Sequence, residues 1–145
     1  MRAVDKSFNI DIRTEFDNTI PKLDVVAQDI SRAFLNIINN GMYAAYEYSL
    51  SENTRKPFLQ ILTRKVQNRV EILIKDNGGG IPDDIKAKIF EPFFTTKPTG
   101  AGTGLGLSMT YDIIKLHNGS LHVDSKIGEY TEFIITLPIT ISKGV

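Results

Sequence analysis

Asp76 closes an alternating run, Val70-Glu71-Ile72-Leu73-Ile74-Lys75, and is followed by Asn77, three glycines (Gly78, Gly79, Gly80), Ile81 and Pro82. A carboxylate at a strand end can accept a hydrogen bond from an amino group such as that of adenine. Glycine admits positive φ and leaves backbone N–H groups unshielded, so a flat or charged partner can come close. Taken alone, the heptapeptide reads equally well as a tight turn with a solvated Asp. A second set is a pair of amides, Asn36 and Asn40, in a row continued by Tyr43 and Glu47. In a helix this row shares one face. Asparagine costs roughly half a kcal/mol against alanine in a helix interior. An amide oxygen can coordinate Mg²⁺ or touch phosphate-bound water, and that would supply a reason for the pair. The plainer account is a polar helix edge. A third set is Gly100-Ala101-Gly102-Thr103-Gly104-Leu105-Gly106 at the entry to a helix. Successive N–H groups and the helix dipole there can hold phosphate. No Gly-Lys-Ser/Thr follows it and no strand precedes it, so it is neither a P-loop nor a dinucleotide fingerprint. Alone, it reads as a flexible linker as readily as a cradle.

The elements that must position these groups follow from periodicity. Phe8, Ile10, Ile12 and Phe16 alternate as a half-buried strand, and Leu23-Asp24-Val25-Val26 forms a short second extended piece. Asp29 is placed to N-cap a long helix. Ile30, Ala33, Phe34, Ile37, Ile38, Gly41, Met42 and Ala45 make its apolar stripe. Ser49 to Pro57 is a surface loop. Phe58 to Val66, Gln67-Asn68 and Val70 to Ile74 make a hairpin that delivers the chain to Asp76. Asp83 to Phe90 is a short helix after a proline. Glu91 to Gly104, broken by proline and glycine, is a long loop carrying Lys97, with Phe93 and Phe94 in need of a pocket. The next helix presents Leu105, Met109, Ile113 and Leu116 on one face with Ile114 adjoining, and ends at Asn118-Gly119. Leu121-Val123 and Phe133 to Leu137 are the last strands. About five strands and two long helices without regular alternation predict an α+β fold: a two-layer α/β sandwich whose mixed, mostly antiparallel sheet carries helices on one face.

At 145 residues the chain suits one domain. Lys+Arg and Asp+Glu both number 17, which argues against nucleic acid or an anionic membrane as the main partner. Cysteine is absent, which excludes disulfides, thiolate catalysis and zinc-thiolate sites. The two histidines, His117 and His122, make a histidine metal cluster an unfavoured reading. No apolar run approaches the ~20 residues of a membrane span.

In order and wording the chemical sets resemble the catalytic and ATP-binding domain of two-component sensor histidine kinases, within the Bergerat-fold (GHKL) superfamily that includes DNA gyrase, MutL-type repair proteins and a heat-shock chaperone. Asn36-Ile37-Ile38-Asn39-Asn40 resembles the N box, and Asp76-Asn77-Gly78-Gly79-Gly80-Ile81-Pro82 the first glycine box. Phe90-Glu91-Pro92-Phe93-Phe94-Thr95-Thr96-Lys97 resembles the F box, which favours the histidine kinase branch. Gly102-Thr103-Gly104-Leu105-Gly106-Leu107-Ser108 resembles the second glycine box, and Thr131-Glu132-Phe133 the late threonine motif. The likeness covers about residues 29–139 of a single domain, 1–145.

The resemblance implies ATP and Mg²⁺ as cofactors, with Asn40 the metal ligand and Asn36 beside it. Asp76 would accept the adenine amino proton with help from Thr131 through water, and Gly78 and Gly80 would let the turn approach the base. A lid over about residues 90–103 would close on ATP, with Lys97 a phosphate contact and catalytic alongside Asn36 and Asn40. Gly102, Gly104, Leu105 and Gly106 would present N–H groups to the phosphates. Tyr43, Ile81, Phe90, Thr95, Thr96, Thr103 and Leu107 complete the implied nucleotide set. Asn36 stands where gyrase-like relatives carry a water-activating glutamate, and an amide is no general base. Three positions depart from the pattern. Gly41 replaces the usual alanine, Tyr43 a frequent Lys or Arg, and Tyr130 the glycine before the late threonine. With Tyr43 there, a phosphate-binding cation is either missing or supplied by Lys97.

Neither His117 nor His122 lies in the context of a phospho-accepting histidine. The chain is therefore expected to be a piece of a larger cytoplasmic or membrane-anchored kinase. Its partners would be that kinase's own dimerisation and histidine-phosphotransfer domain and, downstream, a response-regulator receiver domain, with no nucleic acid and no direct membrane contact. An anti-sigma-type serine kinase and a nucleotide-gated interaction module without chemistry stay open as alternatives. High mobility of the lid without nucleotide is expected from its few apolar anchors.

Overall fold

A computed structural model describes residues 9–51, 55–94 and 106–139. The hairpin pairs β2 (Phe58–Val66) with β3 (Arg69–Asp76) through a two-residue turn in which Gln67 takes a φ of 57°. β3 lies at the centre of the sheet, with β5 (Tyr130–Pro138) antiparallel on its other side and β4 (Ser120–Lys126) outside β5. The edge beyond β2 is β1 (Asp11–Glu15), the one parallel pairing among the described residues. The order β1-β2-β3-β5-β4 makes the mixed, mostly antiparallel five-stranded sheet that the sequence predicted.

Two helices cover one face, α1 (Ala27–Ser51) and, following the short α2 (Asp83–Lys86), α3 (Gly106–Leu116). α1 buries Ile30, Ala33, Ile37, Gly41 and Ala45, with Phe34, Ile38 and Met42 half-buried beside them. Every second residue of β3 (Val70, Ile72, Ile74, Asp76) and of β5 (Thr131, Phe133, Ile135, Leu137) points into the same layer. The core thus joins α1, α3 and the inner sheet face. At about 25 cal/mol per Å² of apolar surface, each fully buried isoleucine or leucine contributes roughly 1.5–3 kcal/mol.

Several expectations are corrected. β1 is exposed throughout, with Ile12 outward, because an edge strand covered by no helix among the described residues gains nothing from alternation. Leu23 to Val26 forms no strand, and α1 starts at Ala27, so Asp29 lies in its first turn, favourable to the helix dipole, and is not the cap. The helix also runs on to Ser51, into the segment expected as loop. α3 turns a different face inward: Ser108, Thr110, Ile113 and Ile114 are buried, while Met109 is outward and Leu116 is 82% exposed. The C-terminus of α3 is closed by Asn118 at a φ of 62° and by a Gly119 N–H to Ile114 carbonyl bond of 2.9 Å. His117 serves this end as a cap. Its Nδ1 meets the Ile113 carbonyl at 2.8 Å, and its Nε2 accepts the Val26 N–H at 3.1 Å, which ties the chain before α1 to α3.

Candidate functional site

The floor of the site is a row across the sheet. Leu59, Asp76, Thr131 and Ser125 face one another on β2, β3, β5 and β4. Directly opposed residues share a face, so these side chains lie on one side. Asp76 is 2% exposed, and its Oδ1 accepts the Gly78 N–H at 2.8 Å. Burial raises its carboxyl to about 7, and the Gly78 bond offsets part of that rise. No cation among the described residues makes an ion pair with it. A buried carboxylate with so little compensation is costly to keep, as acceptor sites built for a ligand are.

Two of the three glycines after Asp76 are required by the protein's own backbone. A Cβ on Gly78 would stand 2.9 Å from the backbone of Ala44 in α1, and Gly80, at a φ of 83°, would press its Cβ to 2.7 Å from the Lys126 carbonyl. Asn77 locks the turn in place, its Oδ1 accepting the Phe58 N–H and its Nδ2 donating to the Lys56 carbonyl, both at 2.9 Å. Arg55 donates to the carbonyls of Asn77 and Gly128 and lies over the Tyr48 ring. The acceptor at position 76 is therefore held by a rigid turn.

Above this floor opens a cavity of about 720 Å³ between α1, the turn after β3 and the start of α3. That volume lies within the usual range for small-molecule sites. The row Asn36, Asn40, Tyr43 and Glu47 lines it, as do Gly80, Ile81, Gly106, Leu107 and Thr131. Asn36 is also a strut between helices: its Nδ2 donates to the Gly106 carbonyl at 3.3 Å and to Thr110 Oγ1 at 3.2 Å. Its Oδ1 is the atom left for the cavity.

Two expected residues lie elsewhere. Gly78 is buried behind the floor and is absent from the lining, and Phe90 packs on Tyr111 and Phe133 at ring distances of 5.4 and 6.4 Å, as core. Of the two phenylalanines expected to seek a pocket, Phe94 lines the cavity and Phe93, at a φ of 67°, is 74% exposed. Thr95, Thr96, Lys97, Gly102, Thr103, Gly104 and Leu105, and with them most of the expected lid, fall outside the described residues. Tyr48, Ile85 and Ile89 also line the cavity. Tyr48 follows Ala44 by four on α1, so helical spacing could have added it, whereas Ile89 lies in the turn beyond α2.

The site fits a nucleotide: a buried acceptor for a base, half-buried apolar walls, and a helix start for phosphate. For Mg²⁺ it offers the Asn40 amide in the lining, which suits an ion that takes one or two protein ligands beside phosphate and water. Among the described residues, no group of three or more His, Asp or Glu could hold a metal unaided.

Comparison with known proteins places these features in a lineage. Residues 25–141 match the family model described as histidine kinase-, DNA gyrase B-, and HSP90-like ATPase. Sporulation kinase A of Bacillus subtilis is 35% identical over 127 residues, 88% of this chain and 19% of that protein. Sensor kinase CckA of Brucella abortus is 58% identical over 65 residues, 45% of this chain and 7% of that protein. The chain thus spans less than a fifth of the length of these curated relatives. Among solved structures, the catalytic domain of histidine kinase ThkA superposes with a TM-score of 0.76 at 29% identity, over 92% of this chain and 81% of that one.

Proposed function

The chain belongs to the family of histidine kinase-, DNA gyrase B-, and HSP90-like ATPases, and from that premise we propose that it is the part of a sensor histidine kinase that holds Mg²⁺-ATP for phosphoryl transfer to a histidine on a separate dimerisation domain. The observation that carries the reading is the ligand-sized cavity with the buried Asp76 on its floor and the two amides of α1 on its wall. Asp76 accepts the exocyclic amino group of adenine, with Thr131 beside it. The triphosphate runs toward Asn36, Asn40 and the start of α3. When bound, Mg²⁺ would neutralise phosphate charge beside Asn40. Lys97, which lies outside the described residues, is a candidate for a further phosphate contact on the family resemblance alone.

The acceptor chemistry fits an amide wall. A neutral imidazole nitrogen attacks the γ-phosphorus with its own lone pair, the bond to the β–γ bridging oxygen breaks, ADP leaves, and the resulting phosphoimidazolium releases the proton on its other nitrogen to solvent. No proton need be taken from the nucleophile before it attacks, whereas water would need a base that Asn36 cannot provide. The chain's own contribution is orientation. Downstream, the phosphohistidine would pass its phosphoryl group to a response-regulator receiver domain, in the cytoplasm.

The test is a calorimetric titration with a non-hydrolysable ATP analogue, with and without Mg²⁺, beside Asp76→Asn. Binding that needs Mg²⁺ and is lost in the variant is expected. Adding ATP and a helical-hairpin fragment of a relative that carries a phospho-accepting histidine should then give acid-labile phosphate on that fragment. Label on serine, or binding with no transfer, would contradict the proposal.

A further inference from the structure

One hydroxyl outside the cavity wall joins three parts of the site. Ser125 Oγ accepts the Ile81 N–H at 2.7 Å, donates to the Tyr130 carbonyl at 2.9 Å and lies 3.2 Å from Thr131 Oγ1. A hydroxyl has one hydrogen and two lone pairs. With the Ser125 hydrogen on the Tyr130 carbonyl and one lone pair on Ile81, the remaining lone pair takes the hydrogen of Thr131. Thr131 is 4% exposed and is the cross-strand partner of Asp76 as well as of Ser125. Its hydrogen committed to Ser125, the Thr131 hydroxyl can show the cavity only lone pairs.

We propose that Ser125 is a positioning residue that sets the base specificity of the site: it turns the Thr131 hydroxyl so that the floor offers acceptors only. With Asp76 ionised, such a floor matches an amino donor that faces it from the purine 6-position and opposes a 6-oxo group there, which is itself an acceptor. The inference rests on the nucleotide-binding reading and adds to it a residue that does not itself line the cavity. A site with fixed hydrogen-bond polarity rejects the wrong partner because the mismatch leaves buried acceptors facing each other unpaired. The competing account is that Ser125 merely pins the turn at Ile81 to β4. That account lowers affinity for every nucleotide equally.

The experiment measures non-hydrolysable ATP and ITP analogues against wild type, Ser125→Ala and Ser125→Thr, at about pH 8.5, where a carboxyl titrating near neutrality is ionised. Ser125→Ala frees the Thr131 hydrogen and is expected to lower the ATP-over-ITP preference about tenfold, the size of one hydrogen bond. Ser125→Thr keeps a hydroxyl and should hold the preference within about threefold of wild type. An equal loss for both analogues, or an unchanged preference, overturns the proposal. Absence of ATP-analogue binding to wild type would instead remove the nucleotide reading, and this inference with it. Should Ser125→Ala not fold, the wild-type protein still decides by NMR. The Thr131 hydroxyl proton should cross-relax with the Ser125 side chain, and a contact to Asp76 in its place would refute the assignment.

Discussion

Gly41 departs from the alanine of the family pattern, and its surroundings give a reason. A Cβ there would lie 2.7 Å from Leu59 Cδ1 and 3.4 Å from Asp76 Oδ2. Leu59 is fully buried and opposes Asp76 on the next strand, so its methyl occupies the space an alanine would need. Glycine costs about 1 kcal/mol in a helix interior, whereas forcing a methyl into a packed core costs about 1–3 kcal/mol. Gly41→Ala alone should therefore be destabilising by about 1 kcal/mol. Leu59→Val makes room, and in that background Gly41→Ala should stabilise by a similar amount. Denaturant unfolding of the four proteins gives the coupling directly, and simple additivity would show that Leu59 yields freely.

At the scale of elements, α1 and α3 meet through the Asn36 amide, which donates to the first carbonyl of α3 and to Thr110. Asn36→Asp removes both donors and sets a carboxylate against the Gly106 carbonyl, at a helix start that also attracts phosphate. We expect a loss of about 1–2 kcal/mol in stability and more than tenfold in ATP-analogue affinity. Asn36→Ala should lose comparable stability with a smaller loss of affinity, because it brings no competing charge. Calorimetry on the two variants separates charge from strut. The amide row of α1 was legible in the sequence because spacing of four residues places side chains on one face without reference to the rest of the chain. The partners of Asn36 were not, since they come 70 and 74 residues later. The inward face of α3 was misread for a related reason. Thr110 looks polar in the sequence, yet its hydroxyl is satisfied by the Gly106 carbonyl and by Asn36, and so it is fully buried. The sheet was legible from the hairpin and the irregular order of helices and strands. The exposure of β1 was not, because alternation does not say whether a strand ends at an uncovered edge.

For the whole molecule, the acceptor on the cavity floor carries a cost in stability that depends on pH. The Asp76 carboxyl rises from 3.8 to about 7, chiefly because burial disfavours the charge. In the unfolded chain it ionises in the ordinary range, near pH 4. Between those values the folded state holds a proton that the unfolded state has released, so stability falls as pH rises through this window. The contribution is fully present below about pH 4 and lost above about pH 7. At 1.36 kcal/mol per pKa unit the loss is of order 4 kcal/mol, a large part of the 5–15 kcal/mol that holds a domain together. Asp76→Asn cannot ionise. It should match wild type near pH 4 and exceed it by a few kcal/mol near pH 8, with nucleotide binding expected to be lost. Urea unfolding of both proteins across this range should give curves that diverge with rising pH, and parallel curves would show that the carboxylate is already well solvated in the fold. A nucleotide analogue at a hundred times its Kd should return about 2.7 kcal/mol to wild type near pH 8 and nothing to the variant.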